Sequence, residues 1–276
     1  MSGIRVAAEG LGLEGPRGWA FRGVDIDAPA GSLIAIEGPS GSGRTSLLLA
    51  LTGRMKATEG TATVGEARLP KQLGAVRRVS ALAHVTGVTD LDPALTVGEH
   101  LRERALLQRR FGGSVRELLR PRAERASEAR LRVDTALAAA GLDREALPKG
   151  SRTAVRDLER IEALRLSVAL ALVGRPRLLG VDDTDLKLSE AESAEVWDLL
   201  RSVTGSGTTV LAVCAEAPRD TVALSTRTRR PDTEDPEDAK DGDDDVPARD
   251  TGPAEDTEQT EHKEGKADAL AETGRA

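Results

Sequence analysis

The sequence predicts an α/β protein organised around a phosphate-binding loop, and three observations carry that expectation. Gly38-Pro39-Ser40-Gly41-Ser42-Gly43-Arg44-Thr45-Ser46 has the spacing GxxxxGK[ST], with arginine where the pattern has lysine. The apolar run Leu178-Leu179-Gly180-Val181 ends in Asp182-Asp183, an acid pair at the end of a strand. Strand-like and helix-like runs alternate around these two anchors, the order expected of a sheet covered by helices.

The elements follow from periodicity and punctuation. Residues 4–36 read as short strands joined by Gly/Pro turns, and Ser32-Leu33-Ile34-Ala35-Ile36 as the buried strand entering the loop. Thr45-Ser46-Leu47-Leu48-Leu49-Ala50-Leu51 reads as the helix leaving it, and Gly53 stands where such a helix takes a left-handed C-cap. Residues 61–64 continue the β character, and residues 79–83 are apolar enough for a buried strand. From about 97 to 174 the pattern turns helical, with Ala/Leu repeats at 131–140 and 164–173. Strands return at 178–181 and 209–213. Between them lies a helix over 190–203 with Val196, Leu199 and Leu200 on one face.

The loop carries chemistry as well as shape. Gly38, Gly41 and Gly43 let backbone N–H groups surround phosphate oxygens, and Thr45 offers a hydroxyl to Mg²⁺. Ser40, Ser42, Arg44 and Ser46 complete the candidate contacts. At the second anchor, Asp182 is placed to hold Mg²⁺ through water and Asp183 to polarise an attacking water. Plain glycine turns precede many helices, and many strands end in Asp. The two anchors together favour a nucleotide site with ATP and Mg²⁺ as ligands.

Composition narrows the classes. Hydrophobic residues make up 39% of the 276, but Trp19, Phe21, Phe111 and Trp197 are all the aromatics, so packing must rest on Leu, Val and Ala. One cysteine, Cys214, rules out an intrachain disulfide and fits a reducing compartment. The N-terminus has no apolar signal core, and no apolar run approaches the ~20 residues of a membrane helix. A soluble, cytoplasmic chain is expected. The net charge of −7 is segregated: residues 231–276 hold 17 acidic and 5 basic residues. Without apolar periodicity that segment reads as a disordered tail, either solubilising or a tether for a basic surface. From Arg102 to Arg132 there are ten arginines and four glutamates on what look like helices broken at Gly112-Gly113 and Pro121. Such a stretch can read anionic lipid or nucleic acid, but a solvated helix face is the commoner meaning. Phe111 is the one aromatic within the stretch, too little for a base-stacking platform, so no nucleic-acid partner is expected.

With both anchors in register, residues 4–228 resemble the nucleotide-binding domain of ABC transporters. Leu95-Thr96-Val97-Gly98-Glu99-His100-Leu101 looks like the family's LTVxENL. Gly174-Arg175-Pro176-Arg177-Leu178-Leu179 looks like its GRPxLL, and Gly207-Thr208-Thr209-Val210-Leu211 is similar to its GKTVLL. The resemblance implies a P-loop NTPase fold of ABC type: a RecA-like core, an N-terminal β-subdomain and a helical subdomain over about 88–167. Residues 1–228 would form the domain and 229–276 the acidic tail.

The resemblance also implies departures at the catalytic positions. The family's lysine is Arg44, whose planar fork cannot sit as a point charge between phosphates. The Q-loop glutamine corresponds to His84, the catalytic glutamate to Asp183, the H-loop histidine to Ala215 and the D-loop aspartate to Ser189. The LSGGQ loop falls on Leu158-Glu159-Arg160-Ile161-Glu162, which sets a carboxylate and bulky side chains where a triphosphate would be capped. Gly15 lies near the adenine-stacking tyrosine, and Trp19 is either its substitute or ordinary core. The implied function is an ATP-binding subunit with weak or absent hydrolysis. It would sit at the inner face of the cell membrane on an integral membrane transport subunit, paired with a competent ABC ATPase as heterodimer, a symmetric ATP sandwich of two such chains being unfavourable. A non-enzymatic regulatory or scaffold module is the alternative. A small-molecule kinase would need an arginine lid, and the matches at 95–101 and 174–183 argue against it.

Overall fold

The computed structural model describes residues 3–111, 121–185 and 188–226. The expected tail over 229–276 and the break at Gly112-Gly113 lie outside the described residues. Two long strands open the chain, β1 (Val6–Gly15) and β2 (Gly18–Ala28). The Gly/Pro punctuation therefore marks bulges and one turn rather than several short strands, and register shifts interrupt the β1–β2 pairing. With β4 (Glu59–Val64) and β5 (Ala67–Leu69) they form an antiparallel sheet in the order β2-β1-β4-β5.

The second sheet is parallel, in the order β6-β7-β8-β3-β9. Its members are β3 (Leu33–Glu37), β6 (Ser80–Ala83), β7 (Leu178–Val181), β8 (Thr209–Cys214) and β9 (Val222–Ser225). Strands β6, β7 and β8 are buried along their whole length, as continuous apolar runs covered on both faces must be. Period-two alternation sorts their side chains. Ile34, Ile36, Leu211 and Val213 face one core, which includes Leu47, Leu48 and Leu51 of α1 (Arg44–Leu51) and residues of β1 and β4. Ala35, Leu179, Val210 and Ala212 face the other, with α4 (Arg122–Ala139), α5 (Arg160–Leu172) and α6 (Glu190–Gly205). Gly180 permits the close approach of α1, because a Cβ there would lie 2.9 Å from Leu48 Cδ1 and 2.8 Å from Leu82 Cδ2.

Two further α-helices stand among the described residues, α2 (Leu73–Val79) and α3 (Val97–Phe111). Helix α2 takes Val79, expected in a strand, and β6 begins one residue later. Strands β5 and β9 and helix α2 carry too little periodicity to be read from sequence. Gly53 has φ +77° just past the end of α1, as its left-handed cap requires. The basic stretch behaves as a structural helix surface where it is described. Arg104 Nε donates to the Leu170 carbonyl at 2.9 Å, and Arg132 pairs with Glu128 one turn back along α4.

Candidate functional site

The parallel sheet brings Glu37, His84, Asp182, Cys214 and Ser225 to one edge, the carboxyl ends of its strands. Ligands bind at this edge in open α/β sheets, and the 38–46 loop opens there from β3. Gly43 is needed for the loop's course: φ is +83°, and a Cβ would overlap the carbonyl oxygen of Ala20 on β2. On the other side the Ser42 hydroxyl meets Thr226 Oγ1 at 2.6 Å, just beyond β9. Ser40 and Gly41 stay exposed at the tip.

Thr45 and Asp182 come together as expected. Thr45 Oγ1 donates to Asp182 Oδ2 at 2.8 Å, and Asp182 Oδ1 accepts from the Asp183 N–H at 3.0 Å. Asp182 is 2% exposed, and burial, aided by the neighbouring Asp183 charge, pushes its carboxyl up; the Thr45 hydrogen bond and Arg44 act the other way. A hydroxyl and a carboxylate in contact beside the exposed loop tip are hard oxygen ligands suited to Mg²⁺ with a phosphate chain. The residues present therefore fit that group. Asp183 follows with φ +48°, a left-handed conformation that an aspartate adopts at some cost.

Arg44 is directed elsewhere. Its Nη1 donates to the Cys214 carbonyl at the end of β8. The next N–H, that of Ala215, donates to Asp185 Oδ2, and Glu37 Oε2 accepts from the Ala217 N–H at 3.1 Å. The sequence does not mark Asp185, Glu37, Cys214 or Thr226 as site residues. Only Asp185 left a trace there, as the third acid of Asp182-Asp183-Thr184-Asp185.

His84 sits at the end of β6 with φ +54°, and its N–H donates to Ser167 Oγ of α5 at 2.7 Å. Burial pushes its imidazole down and Arg160 adds to that, against the pull of Asp183, Asp182 and Asp90. Ser167 also lines a groove of about 380 Å³ with Val88, Leu91, His100, Arg104 and Leu107.

The stretch expected to replace LSGGQ is a self-satisfied helix start. Glu159 is the N-cap of α5, and its N–H donates to Glu162 Oε2 at 2.8 Å. Ile161 is 8% exposed and packs in the core, so it does not project towards a ligand as expected; the first turn of α5 rotates it inward. Ser189 caps α6 in the same manner, bonded to Glu192. Trp19 is not core: it is 41% exposed, with the Arg22 guanidinium 4.4 Å from its ring and Arg22 paired to Glu59. No helix among the described residues is long and apolar enough to cross a membrane.

Comparison with known proteins places this geometry. A family model described as ABC transporter matches residues 21–185. The Fe(3+) ions import ATP-binding protein of Streptomyces avermitilis is 34% identical over 194 residues, covering 69% of this chain and 49% of the relative. The phosphonates import ATP-binding protein of Thiobacillus denitrificans is 30% identical, covering 68% of each. The chain thus spans about half the length of some relatives, 54% for the daunorubicin resistance ATP-binding protein of Streptomyces coeruleorubidus. Among solved structures, a bacterial ABC transporter cassette seen as a dimer matches with TM-score 0.61 and 20% identity over 80% of this chain and 94% of that one. A cassette of a Clostridium perfringens ABC transporter complex matches with TM-score 0.61 and 19% identity, over 76% and 78%. The chain belongs to the ABC transporter family.

Proposed function

We propose that this chain is the ATP-binding subunit of a membrane transport system, binding Mg-nucleotide at the 38–46 loop with weak or absent hydrolysis. The observation that carries the reading is the 2.8 Å contact between Thr45 and Asp182, two hard ligands already aligned at the loop. Loop N–H groups of Gly41, Ser42 and Gly43, with Ser40 and Ser46, would surround the phosphates. Bound Mg²⁺ would neutralise phosphate charge between Thr45 and Asp182.

Weak turnover follows from what the chain's own residues do. Asp183 is the candidate water-orienting base, and its carboxylate is one methylene shorter than glutamate. Arg44 donates to Cys214 O, so its charge is not free to follow a moving phosphoryl group. Ala215 brings no side-chain donor, and the Glu159 N–H at the start of α5 already donates to the Glu162 carboxylate. Losing preorganised charge at a phosphoryl-transfer site commonly costs ~3 kcal/mol of barrier per group.

The partner would be an integral membrane subunit, docked on the groove lined by Val88, Leu91, Arg104 and Leu107, with the chain at the inner face of the membrane. The His84–Ser167 hydrogen bond joins that groove to the end of β6, which pairs with the metal strand β7 and offers a route from site to partner. Pairing with a second cassette that has an intact signature loop would restore some turnover. The capped starts of α5 and α6 favour the alternative, a pseudo-ATPase whose nucleotide only gates protein contacts.

Calorimetric titration with Mg-ATP, beside a turnover assay on the same sample, tests this. Binding lost in Asp182→Ala, with turnover at background, supports the proposal. Turnover at ordinary enzyme rates that vanishes in Asp183→Asn would overturn the weak-hydrolysis reading. Absence of binding at millimolar nucleotide would overturn the nucleotide reading altogether.

A further inference from the structure

The site has an unbalanced charge distribution beyond its metal pair. Four carboxylates gather at the strand ends: Asp182, Asp183, Asp185 and Glu37. Mg²⁺ between Thr45 and Asp182 would offset two of these charges and leave two. Asp185 is fixed by the Ala215 N–H and Glu37 by the Ala217 N–H. Neither can swing away without giving up a backbone hydrogen bond.

Against them stands Arg44, the cation of the loop itself. Its guanidinium is held on the Cys214 carbonyl, one residue before the Asp185-bound N–H. A lysine ammonium is compact and rotates freely, whereas the planar fork is committed by direction. To follow a terminal phosphoryl group, Arg44 would have to release that carbonyl. Loop N–H groups cradle the first two phosphates of a chain, whereas a third depends on the loop's cation for its charge partner. A third phosphoryl group brings more negative charge, and here it would meet fixed carboxylates with no free loop cation.

We propose that the site takes a nucleoside diphosphate with Mg²⁺ in preference to a triphosphate, with Arg44 and Asp185 as the residues that set the preference. This rests on the nucleotide-binding reading above and adds the ligand class to it. A cassette of this kind would report the diphosphate state to its partner rather than drive a cycle by binding triphosphate.

The test is titration of the full chain with Mg-ADP and with Mg-ATP, in wild type, Arg44→Lys, Asp185→Asn and Asp183→Asn. Wild type is expected to bind Mg-ADP roughly fivefold tighter or more, with the ratio shrinking as salt screens the carboxylates. Arg44→Lys is expected to move the ratio towards Mg-ATP by about tenfold, since a mobile ammonium can reach the terminal phosphate. Asp185→Asn keeps an oxygen acceptor for the Ala215 N–H while removing the charge, and should move the ratio the same way by roughly threefold. If Arg44→Lys does not fold, judged by its melting curve, the two asparagine variants decide. Mg-ATP binding as tightly as Mg-ADP in wild type would overturn this inference and leave nucleotide binding intact. A ratio unchanged in every folded variant would overturn the roles of Arg44 and Asp185. Failure to bind either nucleotide at millimolar concentration would remove the parent reading and this one with it.

Discussion

Arg44 and Asp185 hold the two ends of one peptide group: the guanidinium donates to the Cys214 oxygen, and the carboxylate accepts from the Ala215 nitrogen. The phosphate loop and the segment after the metal strand are thereby tied to the same point at the end of β8. In this arrangement the loop's cation and the third acid of the 182–185 run are structural clamps as well as neighbours of the ligand. Movement of either would be felt by the backbone at the position where the family places a histidine.

Gly43→Ala is expected to destabilise the fold by at least about 2 kcal/mol, because the added methyl overlaps the Ala20 carbonyl and the residue must keep φ +83°. Urea denaturation, comparing midpoints at equal slope, measures it. Gly41→Ala has the same positive φ but open space around its Cβ, so it should cost less, about 1 kcal/mol.

Thr45→Val should remove the metal dependence of nucleotide binding while the fold persists. The variant leaves Asp182 buried without its hydroxyl partner, so a stability loss of about 1–3 kcal/mol accompanies it. Nucleotide affinity measured with Mg²⁺ and with EDTA should converge, instead of differing by roughly tenfold or more.

His84 makes the fold less stable in mild acid. Burial holds its folded pKa below the unfolded value of about 6.5. The imidazole is neutral in both states above that pH, so its contribution is fully present there. Below it the unfolded chain takes up a proton that the folded chain resists, and stability falls as pH drops towards the folded pKa. Asp182, Asp183 and Asp90 oppose the shift, and Arg160 adds to it. His84→Asn, which tolerates the left-handed backbone, should flatten the decline of the melting temperature between about pH 6.5 and pH 5.

Cys214 should be inert in the folded chain. It is 1% exposed, and burial, reinforced by Asp185 and Glu37, pushes its thiol up to about 12. Labelling with a thiol-disulfide reagent at pH 8 should be slow in buffer and complete in denaturing urea. Rapid labelling in buffer would show that the end of β8 opens far more readily than this packing implies.

Trp19 shows where local reading stopped short. The scarcity of aromatics and the place near the adenine-stacking position leave core or a stacking platform open, but the residue is 41% exposed beneath the Arg22 guanidinium, which Glu59 holds from β4 of the same sheet. Nothing in the spacing of residues 19, 22 and 59 announces that stack. Ile161 shows the reverse: judged as an obstruction, it became core once the first turn of α5 set its direction.

What the sequence determined by itself is contiguous and set by backbone rules. The glycine-rich loop between strand and helix, the strand ending at Asp182, the left-handed Gly53 and the buried runs of the parallel sheet are all legible because each depends on residues a few positions apart. Tertiary structure decided who meets whom across the sheet. Arg44 reaches Cys214 over a separation of 170 residues, and Ser42 meets Thr226 over 184, only because β3 lies between β8 and β9. Strand order is a property of the whole core, set by which faces bury together, and so the direction of the loop's arginine becomes visible only when the sheet is assembled.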